Sequence, residues 1–168
     1  MMAALLESML TERLGAGAVF IRSSGFGPAD LPPIDDAVDA MRRRGLDISD
    51  HRSTATTAEL VDGADLVLTA ERAHVVKIAA LSPGAFERTM TLPEFLAATA
   101  STPVDAGDDL RSAVRSLTRR RTASGYLREQ VAEIVDPTGS SPRTFEAAVA
   151  LIELQCRDAA SWLAARSR

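Results

Sequence analysis

Apolar residues at the start of the chain, Met2, Leu5, Leu6, Met9, Leu10 and Leu14, recur at the three- and four-residue spacing of one helix face. Gly15 follows where a helix C-terminus favours glycine. The next apolar run is short and unbroken. Ala18-Val19-Phe20-Ile21-Arg22 meets the turn-formers Ser23-Ser24-Gly25-Phe26-Gly27-Pro28, which predicts a buried strand running into a loop. Helical spacing returns at Ile34, Ala37, Val38 and Met41, with Asp35, Asp36 and Asp39 towards the N-terminal end, Arg42-Arg43-Arg44 in the last turn and Gly45 as the stop. Asp65-Leu66-Val67-Leu68-Thr69 predicts a second strand, Arg72 to Leu81 a helix ended by Pro83-Gly84, and Thr89-Met90-Thr91-Leu92 a third strand. Ala97 to Asp109 is small and polar and reads as a loop. Leu110, Val114 and Leu117 then make a short helix face before Arg119-Arg120-Arg121, and Leu127, Val131 and Ile134 predict another. Asp136-Pro137-Thr138-Gly139-Ser140-Ser141-Pro142 breaks the chain ahead of a final amphipathic helix carrying Phe145, Val149, Ile152, Cys156 and Leu163, with Trp162 beside that face.

Strands that alternate with helices through residue 92 indicate βαβ units, hence an α/β fold with a parallel sheet and helices on both faces. The order is α, β, α, β, α, β. A chain of this type normally opens with a strand, so the first strand of the sheet is expected to lie before Met1. The first helix also has no capping residue and sets the terminal amine at the positive end of its dipole, the unfavourable pairing.

Length changes this picture little: 168 residues with 46% hydrophobic positions suit one domain spanning 1–168. The lone Cys156 excludes a disulfide framework. A formal charge of −4 excludes a global basic field, so neither nucleic acid nor a membrane surface is an expected partner, and an anionic ligand must be held locally. Lys77 is the one lysine among 19 basic residues, which reads as GC-rich codon usage. No apolar run approaches the ~20 residues of a membrane span, and residues 1–7 lack the basic flank and cleavage site of a signal peptide, so the expected compartment is the cytoplasm. His51 and His74 are far apart in sequence and there is one cysteine, so no metal centre and no cofactor are expected.

Several segments, in order, carry a resemblance. Met2-Ala3-Ala4-Leu5-Leu6 looks like a helix that follows a phosphate loop, and Ser23-Ser24-Gly25 like a Ser-Ala-Gly turn. Ala37-Val38-Asp39-Ala40-Met41-Arg42-Arg43-Arg44-Gly45-Leu46-Asp47 is similar to the helix after that turn, His51-Arg52-Ser53 to a His-Arg-Ser/Ala segment, Ala64-Asp65-Leu66-Val67-Leu68-Thr69 to a third strand, and Asp136-Pro137 to an acid-bearing loop. Together they resemble the low-molecular-weight protein-tyrosine phosphatases and their arsenate-reductase relatives. The fold this implies is phosphotyrosine phosphatase I-like, a Rossmann-like three-layer arrangement, with a helical insert at about 97–133 and its first, central strand absent from the chain.

The resemblance implies phosphate monoester hydrolysis through a cysteinyl-phosphate formed in a Cys-x5-Arg loop, where backbone amides hold the phosphate and the arginine forks its oxygens. No Cys-x5-Arg occurs in these residues. That loop is expected immediately before Met1, as though the N-terminus were truncated, and Cys156 belongs to the apolar seam of the last helix. The nucleophile is therefore expected to be missing and the chain inactive. Asp136 falls where the family has its general acid. His51 and Ser24 fall where side chains support the phosphate loop from behind. With the loop restored, the implied partner is a phosphotyrosine protein or a small phosphate or oxyanion. The alternatives are a non-catalytic phosphatase-like binding or regulatory protein and an arsenate-reductase-like relative. Self-association through open sheet edges is also expected.

Overall fold

The computed structural model describes residues 1–104 and 108–166. Two compact units divide the chain: Met1–Thr56 with Asp136–Ala160, and Thr57–Val135 with the residues from Ser161 onward.

In the first unit α1 spans Met2–Leu14 and buries Leu5, Leu6 and Leu10, the stripe its spacing predicts. Gly15, at φ 89°, ends it with an N–H donated to the Thr11 carbonyl. α2, Asp35–Arg42, buries Ala37, Ala40 and Met41, while Ile34 stays half exposed as the residue that caps it. The strand expected at Ala18–Arg22 does not form. Those residues are irregular, and Phe20 is 91% exposed. A strand is stabilised by a neighbouring ladder, and the pairing in this region is instead a single parallel bridge between Gly25 and Ala55. α8, Pro142–Ala164, begins at Ser141, whose hydroxyl accepts from the Thr144 N–H, and buries Phe145, Val149, Ile152, Cys156 and Leu163 as expected.

Charge fastens α8 to the end of α2. Arg44 donates through Nη2 to Glu146 and through Nε to Glu153, both at 2.7 Å, and Arg43 also reaches Glu146 at 2.7 Å. Hydrogen bonds from Arg44 and then Arg43 hold the Glu146 carboxyl below its ordinary value of 4.5.

The second unit holds the sheet. β1, Val67–Thr69, pairs in parallel with β2, Thr89–Thr91, in the register Val67–Thr89, Leu68–Met90 and Thr69–Thr91. The crossover is α4, Arg72–Leu81, which has the predicted bounds and buries Val75 and Ile78; a 3₁₀ turn over Pro83–Arg88 leads into β2. This is the expected βαβ unit, and the fold class is α/β with a small parallel sheet and many helices. α3, Ala58–Asp62, is capped by Thr57, and its Val61 packs with Ile78 and Ala85 in a cluster that Val67 joins.

Past β2 the structure departs from the sequence reading. α5, Leu92–Ser101, occupies part of the stretch read as a loop, and residues 105–107 of that loop lie outside the described residues. α6, Leu110–Thr118, forms as predicted behind its cap Asp109. The helix expected at Leu127, Val131 and Ile134 is absent. A single turn, α7, covers Ala123–Tyr126, and residues 127–135 run irregularly, so the 97–133 stretch is only partly helical. The reason lies in their partners: Ile134 N–H donates to the Ala70 carbonyl, Thr91 Oγ1 donates to the Ala132 carbonyl, and the Arg72 backbone N–H donates to Glu133. A helix would have to give up these bonds to the strand ends.

Two measurements follow from these contacts. Thr91→Val removes the cap of α5 and the bond to Ala132 and should lower stability by about 1–3 kcal/mol in urea unfolding. Thr99→Val, whose hydroxyl serves only the Leu96 carbonyl of its own helix, should change it by less than about 0.5 kcal/mol. Because the Glu146 carboxyl is depressed on folding, it contributes stability that is present above 4.5 and lost as pH falls through its folded value. Glu146→Gln should therefore flatten the acid limb of a stability-against-pH curve and lower stability at pH 7.

Candidate functional site

The three residues singled out from the sequence lie in the loops of the first unit. Ser24 sits in the turn after the irregular 18–22 stretch, exposed, its hydroxyl accepting from Thr56 Oγ1 at 3.0 Å. The bridge beside it, Gly25 N–H to Thr54 and Thr56 N–H to Gly25, binds that turn to residues 54–56. Ser53 extends the pairing: its hydroxyl donates to the Pro28 carbonyl and accepts from the Leu31 N–H, and its carbonyl accepts from the Asp30 N–H. Asp30 meets this at φ 62°, a left-handed conformation that an aspartate tolerates better than most residues.

His51 belongs to the same loop pair, two residues before Ser53. Its backbone N–H donates to Ile48 and its carbonyl accepts from Arg52, while its exposed imidazole makes no hydrogen bond or ion pair among the described residues. Ser24 and the His51–Thr56 segment are thus brought together through backbone and hydroxyl bonds rather than through the imidazole.

No hydrogen bond links Asp136 to Ser24 or His51 among the described residues. The chain enters it from the 127–135 stretch and makes a tight turn: Oδ1 accepts from the Thr138 N–H at 2.9 Å and from Thr138 Oγ1 at 2.7 Å. Ser140 N–H donates to the Pro137 carbonyl, and Gly139 takes φ 77° before the Ser141 cap. The result is an exposed carboxyl whose Oδ1 is occupied by its own turn and whose Oδ2 carries no bond among the described residues.

Cys156 lies on the buried face of α8, its Sγ 3.8 Å from the Met2 carbonyl oxygen, and burial pushes its thiol up to about 12. A thiol so far from ionisation is a poor nucleophile, in keeping with its place in the apolar seam. No group of three or more His, Cys, Asp or Glu side chains among the described residues is arranged to hold a metal ion.

Sequence reasoning missed the residues that lead the chain towards Asp136. Arg72 donates through Nη2 to the Tyr126 carbonyl and lies 5.5 Å over the Tyr126 ring, and Thr91 holds Ala132. One signal was available: Thr91-Leu92-Pro93-Glu94 is a capping box, with the Thr91 hydroxyl accepting from the Glu94 N–H and the Glu94 carboxylate accepting from the Thr91 N–H.

The model for the low molecular weight phosphotyrosine protein phosphatase family matches residues 1–115. Among solved structures, a YwlE mutant from Bacillus subtilis is similar at 23% identity and TM-score 0.69, over 96% of this chain and 87% of that one. The tyrosine phosphatase Wzb from Escherichia coli K30 is similar at 23% identity and TM-score 0.65, over 96% and 89%. The YwlE arginine phosphatase from Geobacillus stearothermophilus is similar at 22% identity and TM-score 0.66, over 96% and 84%. Comparison with curated protein sequences finds no match. No described helix is long and apolar enough to cross a membrane.

The burial of Cys156 has a direct test. Ellman's reagent at pH 8 should leave the thiol of the native chain unmodified and titrate one thiol per chain in 6 M guanidinium. Rapid reaction of the native chain would contradict the buried placement.

Proposed function

We propose, from the premise that this chain belongs to the low molecular weight phosphotyrosine protein phosphatase family, that its 168 residues form one phosphatase-like domain that carries the acid half of a phosphoryl-transfer site and needs a Cys-x5-Arg loop for turnover. The observation that carries the phosphatase-like reading is the family match over residues 1–115; Asp136 lies beyond the matched residues, and its role rests on its turn. The reaction is hydrolysis of a phosphate monoester on a phosphoprotein, through a cysteinyl-phosphate. The compartment this reading assigns is the cytoplasm.

Asp136 acts as the general acid. Its Oδ1 is fixed by both Thr138 bonds, so Oδ2 is the oxygen that holds the transferable proton. As the ester bond to phosphorus breaks, that proton passes to the leaving oxygen. The same carboxylate then takes a proton from the water that cleaves the thiophosphate. Ser24 and His51 act only by position, through a loop pair able to brace a phosphate loop from behind. Cys156 does not replace the missing nucleophile, because a group on the reaction path must reach substrate and ionise near neutral pH.

The purified 168-residue chain should show no turnover of p-nitrophenyl phosphate or of a phosphotyrosine peptide between pH 5 and 7. Turnover that survives Cys156→Ser would overturn the reading. A version extended by a strand and a Cys-x5-Arg loop in front of residue 1 should gain activity. In that version Asp136→Asn should lower kcat by about 10²–10⁴ and leave the affinity for phosphate analogues nearly unchanged. Stronger turnover of phosphoarginine than of phosphotyrosine would keep the phosphatase assignment and change the substrate.

A further inference from the structure

A cavity of about 270 Å³ opens on the second unit beside the C-terminal end of α6, lined by Glu87, Arg115, Ser116, Thr118, Arg119 and Arg121. Arg115, Arg119 and Arg121 stand there with Glu87, and Glu94 pairs with Arg121, so three positive and two negative charges leave a local surplus of one in a chain whose net charge is −4. The arginines differ in how they are held. Arg121 is fixed: Nη1 donates to the Thr89 carbonyl at 2.9 Å, and the guanidinium lies 4.4 Å from the Phe86 ring centroid and 4.6 Å from that of Tyr126. Glu94 forms an ion pair with it at 3.2 Å from Nε, while neither Nε nor Nη2 makes a hydrogen bond among the described residues.

Arg115 and Arg119 are four residues apart, the spacing at which like charges on a helix repel. Arg115 reaches Glu87 only at 3.9 Å, with both side chains largely exposed. The Arg119 side chain makes no hydrogen bond or ion pair among the described residues. The two hydroxyls are already committed, Thr118 to the Glu87 carbonyl and Ser116 to the Ser112 carbonyl, so recognition falls to the guanidinium groups. The carbonyl end of α6 opposes an anion with about half a charge, less than the surplus of one.

We propose that this cavity binds a phosphoryl group, with Arg115 and Arg119 forking its oxygens and the fixed Arg121 forming the wall. A guanidinium fork matches phosphate geometry, and Arg119 brings a charge that no carboxylate of the described residues answers. The phosphoryl group comes either as a small free phosphate or on a phosphorylated side chain. The lining shares no residue with the Asp136 turn, and the proposal does not depend on the phosphatase reading.

The test titrates the full chain with inorganic phosphate and with a phosphoserine peptide at constant ionic strength, following the arginine Nε–Hε signals by NMR and the heat by calorimetry. Saturable binding of phosphate is expected, weakened at least tenfold in Arg115→Gln and in Arg119→Gln and unchanged in Arg120→Gln, an exposed neighbour outside the lining. Glu87→Gln should tighten binding several-fold, a gain that a damaged fold cannot produce. A peptide bound more than tenfold tighter than phosphate identifies a phosphorylated side chain as the natural ligand; equal affinities identify free phosphate. Binding that does not saturate, or that ignores Arg115, Arg119 and Glu87, overturns the proposal.

Discussion

A parallel pair of three-residue strands cannot hold itself together, and the second unit is arranged around that constraint. β2 is wholly buried although two of its three residues are threonines. Each buried hydroxyl left without a partner would cost about 1–3 kcal/mol, so the threonines dictate their surroundings. Thr89 donates to the Ala85 carbonyl and so fixes the 3₁₀ turn that precedes the strand. Thr91 starts α5 and holds Ala132 against the strand's far end. Ala70, just past β1, takes the Ile134 N–H. The ends of both strands are therefore closed by the stretch that leads into Asp136, and the small sheet and the approach to the proposed acid stand or fall as one structure.

Arginine does much of the remaining cross-linking. Codon bias explains why these residues are arginine rather than lysine, but the fold uses what a guanidinium offers. Arg44 spans two carboxylates with separate nitrogens, which a single ammonium point charge would do less well. Arg121 lies against two aromatic rings while donating to a backbone carbonyl, and Arg72 bonds the Tyr126 carbonyl from above the same ring. Burial lowers the Arg121 pKa and raises that of Glu94, so each charge is maintained chiefly by the other. Glu94→Gln would keep the capping geometry and isolate the cost of the unpaired Arg121.

The periodic helices were legible because their burial is local to one face. α1, α4, α6 and α8 follow from apolar spacing with stops at Gly15 and Pro83 and caps at Asp109 and Ser141. Two apolar patterns misled. Val19, Phe20 and Ile21 have the composition of a strand, but composition cannot show whether a neighbouring strand is there to pair with, and here the run is irregular and Phe20 lies in solvent. Leu127, Val131 and Ile134 have helical spacing, yet the stretch is held by the Ile134 N–H to Ala70, the Ala132 carbonyl to Thr91 and the Glu133 carboxylate to Arg72, residues 40 or more positions away that no local window contains. α5 was the reverse case: its capping box was in plain sight, but the small residues Ala97 to Ser101 were weighed as a loop. Of the candidate site, the residue types were legible and their bonding was not, since only the folded loops reveal that Ser24 shares bonds with Thr56 while Asp136 bonds its own turn.

The self-contained Asp136 turn clarifies what this chain contributes to catalysis on the proposed reading. A general acid is worth about 10²–10⁴ in rate, and only when another group already holds the phosphoryl oxygens and attacks phosphorus. Most of the stabilisation in such a reaction falls on the charge developing around phosphorus, which requires preorganised amides and an arginine rather than a carboxylate. Asp136 is well made for the smaller task, with one oxygen tied and one open, and it is tied by residues two positions away. Its geometry therefore does not require a nucleophile to be present. An acid turn of this kind persists in a chain whether or not it turns over, so family membership rests on the match over residues 1–115 and not on Asp136.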